Sequence, residues 1–518
     1  MYVTTSQESR QLDSLAMDFG LPGIVLMENA SRSVYRAALE FWPELAENAS
    51  RPVFVLAGPG QNGGDGLVLA RLFLAAGRKV KVCLAGPEPT GDALINLKLL
   101  VNLGAALETI RAPFDPLPEV PPQALLIDAL LGTGLTRPVE GILASVLSKV
   151  ANHPGPTLAV DLPSGLSGDT GLALGLVKKA HLTVTIGTYK RGLFLNDGPR
   201  LCGEVRLGDM GLCPQMFLKA DLKGQYLDQN LARTFLPARP DNGHKGTFGH
   251  AVVAGGGEGK TGALALAALG ALRSGCGLVT AAHPQSAGTV MAQKMTSAMT
   301  AALPEEAPGH LAPEAGEVLN KFLGNKKALG LGPGLGLGPG AKSTAYALAA
   351  KLSKPLVLDA DALILLKGHL EIMAQAPGSR LLTPHPGEAG QLLGMTSKEI
   401  QKDRFSALET LARVSQAVVV LKGQHTLILD PRSGRYLVNS SGNAALAVGG
   451  SGDILTGLIT GLLAQGLEPL AAAGLGVFIH GRAGDLAAQN FGTRGLLPEE
   501  IASFLPRILS ELAGPVLA

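Results

Sequence analysis

Two α/β domains in tandem, each a largely parallel sheet between layers of helix, are the fold class this sequence predicts. Short uninterrupted Val/Ile/Leu runs alternate with Ala/Leu-rich helical stretches along most of the chain. Continuous apolar strands joined by crossover helices imply a sheet covered on both faces. The alternation lapses once, where Pro214, Pro237 and Pro240 stand among scattered charges, as at a domain boundary. A length of 518 residues also exceeds what one hydrophobic core organises. The expected division is a first domain at 1–220, a linker at 221–240 and a second domain at 241–518.

In the first domain, Gln7–Phe19 and Gly23–Leu39 read as helices. Strands are expected at Pro52–Ala57, Val80–Ala85, Ala124–Asp128, Thr157–Asp161 and Leu182–Ile186. The second series begins after Gly249, with strands at His250–Ala254, Gly277–Ala282, Ala328–Leu331, Pro355–Asp359, Arg380–Thr383, Ala417–Lys422 and Thr426–Leu429. No solenoid-type repeat is present.

Composition narrows the function. Lys plus Arg total 44 against 42 Asp plus Glu, a formal charge of +2, so no basic field for nucleic acid exists and a small-molecule partner is expected. Cys83, Cys202, Cys213 and Cys276 form no Cys-x-x-Cys pair, which argues against a disulfide framework or zinc site and fits a reducing cytoplasm. Residues 1–10 lack the order of a signal peptide, and no stretch offers 18 clean apolar residues; a cytoplasmic protein without a membrane span is expected.

The first expected strand runs into Gly58-Pro59-Gly60-Gln61-Asn62-Gly63-Gly64-Asp65-Gly66 and then a helix. Glycines let backbone approach a phosphate, and a helix start offers N–H groups and a positive dipole end. Gly-x-Gly-x-x-Gly is shared by many folds, and a dehydrogenase would place an acid at the end of the second strand, where this chain has Gly86-Pro87 before Glu88. Asn62 and Asp65 add oxygen chemistry that a purely structural turn does not require. Asp128 and Asp161 end two further strands, ahead of Gly132-Thr133-Gly134 and Ser164-Gly165. A lone strand-end Asp is commonly a helix cap; two beside an Asn-bearing turn supply enough oxygen for a potassium ion and one acid/base carboxylate.

In the second domain, Gly449-Gly450-Ser451-Gly452-Asp453 precedes a helix expected to start at the aspartate. Glycines before a helix N-terminus make an anion hole, and an Asp there can deprotonate a hydroxyl held beside a phosphate, although Asp is also a favoured cap. Ala254-Gly255-Gly256-Gly257-Glu258-Gly259-Lys260-Thr261 nearly spells a P-loop but carries Ala254 where the first Gly belongs.

Leu26-Met27-Glu28-Asn29-Ala30, Gln61–Gly66, Asp128–Gly134 and Asp161–Gly165, taken as a set, resemble the epimerase domain of NAD(P)H-hydrate repair enzymes over residues 5–215. The resemblance implies a Rossmann-like three-layer α/β/α domain. It implies K+ ligands at Asn62, Asp128 and Ser164, and substrate contacts at Gln61, Asn62, Gly63, Gly64, Asp65, Gly132, Thr133, Gly134, Leu135, Thr136, Arg137, Pro138 and Asp161. The family has Asn-Asn where this chain has Gln61-Asn62, which lengthens one amide.

His244-Lys245-Gly246, Thr261-Gly262-Ala263, Gly332-Pro333-Gly334-Leu335-Gly336, Asp359-Ala360-Asp361, Thr383-Pro384-His385-Pro386-Gly387-Glu388 and Lys422-Gly423-Gln424-His425-Thr426 resemble the ADP- or ATP-dependent NAD(P)H-hydrate dehydratase, a ribokinase-like fold, over residues 240–510. By position, that implies nucleotide binding at Lys422, Gly423, Gln424, His425, Thr426 and Gly452, and hydrate binding at Ala263, Gly334, His385 and Asp453. Mg2+ and ADP or ATP are the implied co-reactants, Asp453 and Asp161 the implied catalytic residues, and a homo-oligomer the family expectation. His385 between two prolines could equally serve its loop. A ribokinase-like small-molecule kinase with a regulatory first domain is the alternative; it has no use for Asn62, Asp128 and Ser164 together.

Overall fold

The computed structural model describes residues 1–47 and 51–514, which divide into units Met1–Gly224 and Gln225–Ala518. In the first unit the strands are β1 (Tyr2–Thr4), β2 (Val53–Ala57), β3 (Val80–Ala85), β4 (Ala106–Ile110), β5 (Leu125–Ala129), β6 (Thr157–Val160), β7 (Leu182–Ile186), β8 (Tyr189–Lys190) and β9 (Glu204–Gly208). Seven form a sheet in the order β4-β3-β2-β5-β6-β7-β9, with every neighbouring pair parallel. Alternate residues of β2 serve opposite faces, as a period of two requires. Val53, Val55 and Ala57 pack with Val34, Leu67 and Phe73 from the helices Gly23–Phe41 and Gln61–Ala75. Phe54 and Leu56 pack with Val146 and Leu147 from the helix Gly141–Val150.

The second unit continues with β10 (Gly224–Leu227), β11 (His250–Ala254), β12 (Leu278–Pro284), β13 (Met299–Leu303), β14 (Glu305–Ala307), β15 (His310–Leu311), β16 (Ala328–Leu331), β17 (Leu356–Leu358), β18 (Arg380–Leu382), β19 (Val418–Leu421), β20 (Leu427–Leu429) and β21 (Tyr436–Asn439). From β13 the order is β13-β12-β11-β16-β17-β18-β19-β20-β21-β10. It is parallel as far as β19, then antiparallel through β20 and β21. Both units are therefore α/β with parallel sheets, as the sequence predicts. No described helix is long and apolar enough to cross a membrane.

The stretch 221–240 differs from the linker expected of it. β10 and the helix Gln229–Phe235 lie within it, the helix capped by Asp228, whose carboxylate accepts from the Leu231 N–H at 2.8 Å. Ala232 and Leu227 are fully buried in the second unit's core, so the prolines at 237 and 240 follow folded structure rather than mark its absence. Two strands of the first sheet were also unexpected: β4 and β9 lie at its edges, and exposed charges (Glu108, Glu204) interrupt the apolar run that betrays a central strand.

One helix pair sets the position of the second unit's site. A Cβ on Gly457 would lie 1.7 Å from the Ala267 carbonyl oxygen, and one on Gly270 2.1 Å from that of Ile454. The helices Thr261–Arg273 and Ser451–Ala464 thus touch backbone to backbone. Overpacking there forces the axes apart. Gly457→Val is expected to destabilise the second unit by about 3 kcal/mol, read as a lower denaturant midpoint; an unchanged midpoint would contradict the contact.

Candidate active sites

In an open parallel sheet the crevice lies beyond the strand ends where the order reverses. In the first unit that is between β2 and β5, and a cavity of about 510 Å³ opens there. Its walls include Gly60, Gln61 and Asn62 after β2, Leu130–Gly134 after β5, Asp161 after β6, and Lys190. Gly63 and Gly64 are buried beneath them. Leu135, Thr136, Arg137 and Pro138, also expected at the substrate, do not line this cavity; Thr136, Arg137 and Pro138 are exposed to solvent.

Asp161 has φ 67°, a region non-glycine residues rarely occupy and that Asp tolerates better than most. The turn is held by its N–H, which donates to the Val184 carbonyl at 2.9 Å. Its carboxylate accepts from the Ile186 N–H and the Thr185 hydroxyl, both at 3.2 Å. It also pairs with Lys190 at 2.6 Å, both side chains almost fully buried. Lys190 carries no motif signal and was missed in the sequence; the short strand β8 delivers it.

Asp128, 1% exposed, accepts from the Ser164 N–H at 2.8 Å and from the Ser164 hydroxyl. Burial raises its pKa despite those bonds. The Ser164 oxygen in turn accepts the Leu131 N–H at 2.9 Å. Asn62 has its amide nitrogen buried without a partner, and a Cβ on Gly132 would lie 3.3 Å from its Cγ. Asp65 lines the cavity but is engaged by the Ser31 hydroxyl at 3.2 Å, and burial pushes its pKa well up.

In the second unit the order reverses between β11 and β16. The helix Ser451–Ala464 starts two residues earlier than expected, behind Gly450 at φ 94°. Its first internal bond runs from the Ile454 N–H to the Gly450 carbonyl, so the Gly452 and Asp453 N–H groups precede the intrahelical ladder at the positive end of the dipole. Ser451 meets the buried His480 Nε2 at 3.1 Å, and burial pushes that imidazole down to about 4; a neutral ring thus anchors the helix start.

Asp453 shares its surroundings with Asp359, Lys422 and Glu388. Lys422 lies 3.0 Å from Asp359 and 3.7 Å from Glu388, and the Thr456 hydroxyl donates to Asp359 at 2.6 Å. Burial opposes the Lys422 charge, yet Asp359, Glu388 and Asp453 together raise its pKa. Burial and then Asp359 push Asp453 up to about 7, with Lys422 acting against them. A Cβ on Gly452 would sit 3.3 Å from the Lys422 ammonium, which brings the glycine turn and the lysine together. Glu388 and Thr456 were not anticipated; both matter only through the tertiary meeting of three strand ends and one helix.

The remaining expected residues fall around this cluster. Ala263 and Gly334 are neighbours, a Cβ on Gly334 lying 3.5 Å from that of Ala263. His385 caps the helix Pro386–Leu393 through Nδ1, accepting from the Gly387 and Glu388 N–H groups at 3.0 and 3.2 Å, and keeps Nε2 on a half-exposed ring. Gly423 and Gln424 are exposed, while His425, at φ 48°, turns to the Asn439 carbonyl at 3.0 Å and Thr426 donates to the Gly423 carbonyl. Beneath them Arg404, another unforeseen residue, donates to the Gln424 and Leu421 carbonyls. Lys260 pairs with Asp361 at 2.9 Å, and the Gly336 N–H donates to the same carboxylate.

Residues 23–192 match a family described as YjeF-related protein N-terminus, and residues 251–507 match NAD(P)H-hydrate dehydratase. The chain is 39% identical to the bifunctional NAD(P)H-hydrate repair enzyme Nnr of Moorella thermoacetica, over 99% of this chain and 97% of that one. It is 39% identical to the Nnr of Coxiella burnetii, over 96% and 97% of the two chains. With the Nnr of Escherichia coli the identity is 33%, over 95% and 90%. Among solved structures, the ADP/ATP-dependent NAD(P)H-hydrate dehydratase of Bacillus subtilis, co-crystallised with ATP/Mg2+, aligns at 30% identity and a TM-score of 0.49, over 55% of this chain and 98% of that one.

The charge balance around Asp453 fixes the direction of two variants. Asp359→Asn removes a repulsion and is expected to lower the Asp453 pKa from about 7, whereas Lys422→Met removes an attraction and raises it. Carboxyl-carbon NMR titration reads both; a shift of the two variants in the same direction would contradict the arrangement.

Proposed function

This chain belongs to the bifunctional NAD(P)H-hydrate repair enzymes, an isomerase and a lyase in one polypeptide, and we propose how its residues divide that work. The second unit dehydrates the S form of NAD(P)H hydrate at the expense of ADP or ATP, giving NAD(P)H, phosphate and AMP or ADP. The first interconverts the R and S forms, because a site that aligns one C6 hydroxyl with a base and a phosphoryl group cannot align the hydroxyl of the opposite C6 configuration. Relatives of the whole length favour this over a small-molecule kinase with a regulatory first domain.

The observation that carries the dehydratase assignment is Asp453, lifted to about 7 at a glycine-lined helix start beside Lys422. A base poised near neutrality suits removal of a hydroxyl proton. Asp453 takes the proton of the C6 hydroxyl and the terminal phosphoryl group transfers to that oxygen. Phosphate, unlike hydroxide a good leaving group, then departs with the C6–O bonding pair as the N1 lone pair pushes in, and loss of a C5 proton supplies the C5–C6 double bond of the dihydronicotinamide. Lys422 and the N–H groups of Gly452 and Asp453 offset the charge on the moving phosphoryl group. Lys422–Thr426 with Gly452 hold the nucleotide, and Ala263, Gly334 and His385 the hydrate. Mg2+ would accompany the nucleotide's own phosphates, as is common for that ion, and would offset their charge.

In the first unit Asp161, held against Lys190 at 2.6 Å, is the acid/base group. Asn62, Asp128 and Ser164 suit K+: the donors are hard oxygens, and the unpartnered buried Asn62 amide needs only to turn over to present its oxygen. Held there, such an ion would supply positive charge beside the Asn62 wall of the cavity. Four free thiols agree with a reducing cytoplasm, and a homo-oligomer completes the reading.

The experiment supplies a mixture of hydrate epimers with ADP or ATP and follows dihydronicotinamide absorbance. Asp453→Asn is expected to stop recovery with either nucleotide, by 10²-fold or more, roughly the range for loss of a general base. Asp161→Asn should leave the S form repaired and slow only the R form. Equal loss of both epimers in Asp161→Asn would refute the division of labour.

A further inference from the structure

Inverting C6 needs two proton positions. The carbon bears a hydroxyl and the ring nitrogen N1, so the ring opens when a base takes the hydroxyl proton, the C6–N1 bond breaks, and an acid protonates N1. The product is an open-chain aldehyde, which rotates about C5–C6 and recloses on its other face with both protons returned. The Asp161 carboxylate can serve as one of these groups, while the Lys190 ammonium is held by that carboxylate and by the Ile186 carbonyl, to which it donates at 2.6 Å.

The helix Ser6–Asp18 forms the wall that contributes Ser9, Asp13 and Met17 to the same cavity. These residues are four apart, one stripe of a helix. The other carboxylates of the cavity are engaged or remote from the pair: Asp65 bonds Ser31, and Asp92 lies against Gly23 at the start of the helix Gly23–Phe41. Asp13, half-buried, makes no hydrogen bond or ion pair among the described residues. It faces the Asp161–Lys190 pair closely enough that both charges act on it, with Arg10 the charged neighbour on its own helix wall.

We propose that Asp13 is the second acid/base group of the epimerase cavity, protonating N1 as Asp161 accepts the C6 hydroxyl proton, and reversing that transfer on ring closure. Each carboxyl group ends the cycle as it began, so no co-reactant is required. Burial lifts Asp13 to about 6, opposed by Lys190 and further raised by Asp161, which brings its carboxyl group towards the range in which it can give and take a proton near neutrality. Two carboxyl groups in unlike surroundings, one paired with an ammonium and one without a partner, take the roles of base and acid.

This assignment rests on the epimerase reading of the first unit, and one assay separates the two. A single purified epimer is incubated with the full chain and no nucleotide, and its conversion to the other is followed by chromatography. Asp13→Asn is expected to lower kcat by about 100-fold or more with KM within about threefold, and Asp13→Glu to recover at least about tenfold of that loss. A merely structural role would not restore kcat through a longer acid. Should the Asn variant fail to fold, Asp13→Ser serves, with the same expectation. Wild-type chain that interconverts the epimers while Asp13→Asn keeps kcat within about threefold overturns the role of Asp13 alone. Wild-type chain that does not interconvert them overturns the epimerase reading itself.

Discussion

Two backbone contacts determine where this molecule can do chemistry. A Cβ on Gly58 would lie 2.0 Å from the Leu130 carbonyl oxygen, and one on Gly255 2.0 Å from that of Pro333. Each glycine is the first residue after the strand at which its sheet reverses, β2 or β11, and each carbonyl belongs to the loop after the neighbouring strand, β5 or β16. The same solution therefore appears twice in one chain. Without a side chain at those positions the two loops close on each other, and in the first unit the crevice beside them is about 510 Å³, the size of a small ligand.

What the two crevices do next differs through charge. In the first unit the acids are dispersed among separate partners: Asp161 with Lys190, Asp128 with Ser164, Asp65 with Ser31. The result is a cavity in which Asp161 is anchored in place, with Asp128 and Ser164 paired to each other outside its lining. In the second unit, Asp359, Glu388 and Asp453 crowd one ammonium, Lys422. One cation cannot satisfy three carboxylates, and at the helix start burial first, then repulsion from Asp359, raises the pKa of Asp453. Strain follows function as well: Asp161, Ala360 and His425 are three of the six described non-glycine residues with positive φ, and each stands at a strand-end loop of a site.

Central strands were legible because burial on both faces leaves an unbroken apolar run, as in Val53–Ala57 and Leu125–Ala129. The site glycines, Asp161 and Asp453 were legible because their chemistry sits in contiguous turns. Lys190, Glu388, Arg404 and Asp13 were not, since each reaches its site from a separate element and only the fold assembles them. Leu135–Pro138, substrate contacts by the family resemblance, are not among the residues that line the cavity. The segment 221–240 misled by its prolines, because a capped helix and a strand precede them.

Repair of both hydrate forms by one chain is the central claim, and stereochemically resolved product analysis tests it most directly. An equal mixture of R and S hydrate is incubated with the purified chain and ADP, then with ATP, and the two epimers are quantified separately over time. The account predicts that both disappear to completion with at least one nucleotide while NAD(P)H accumulates in matching amount. Consumption of the S form alone, with the R form persisting unchanged, would contradict it.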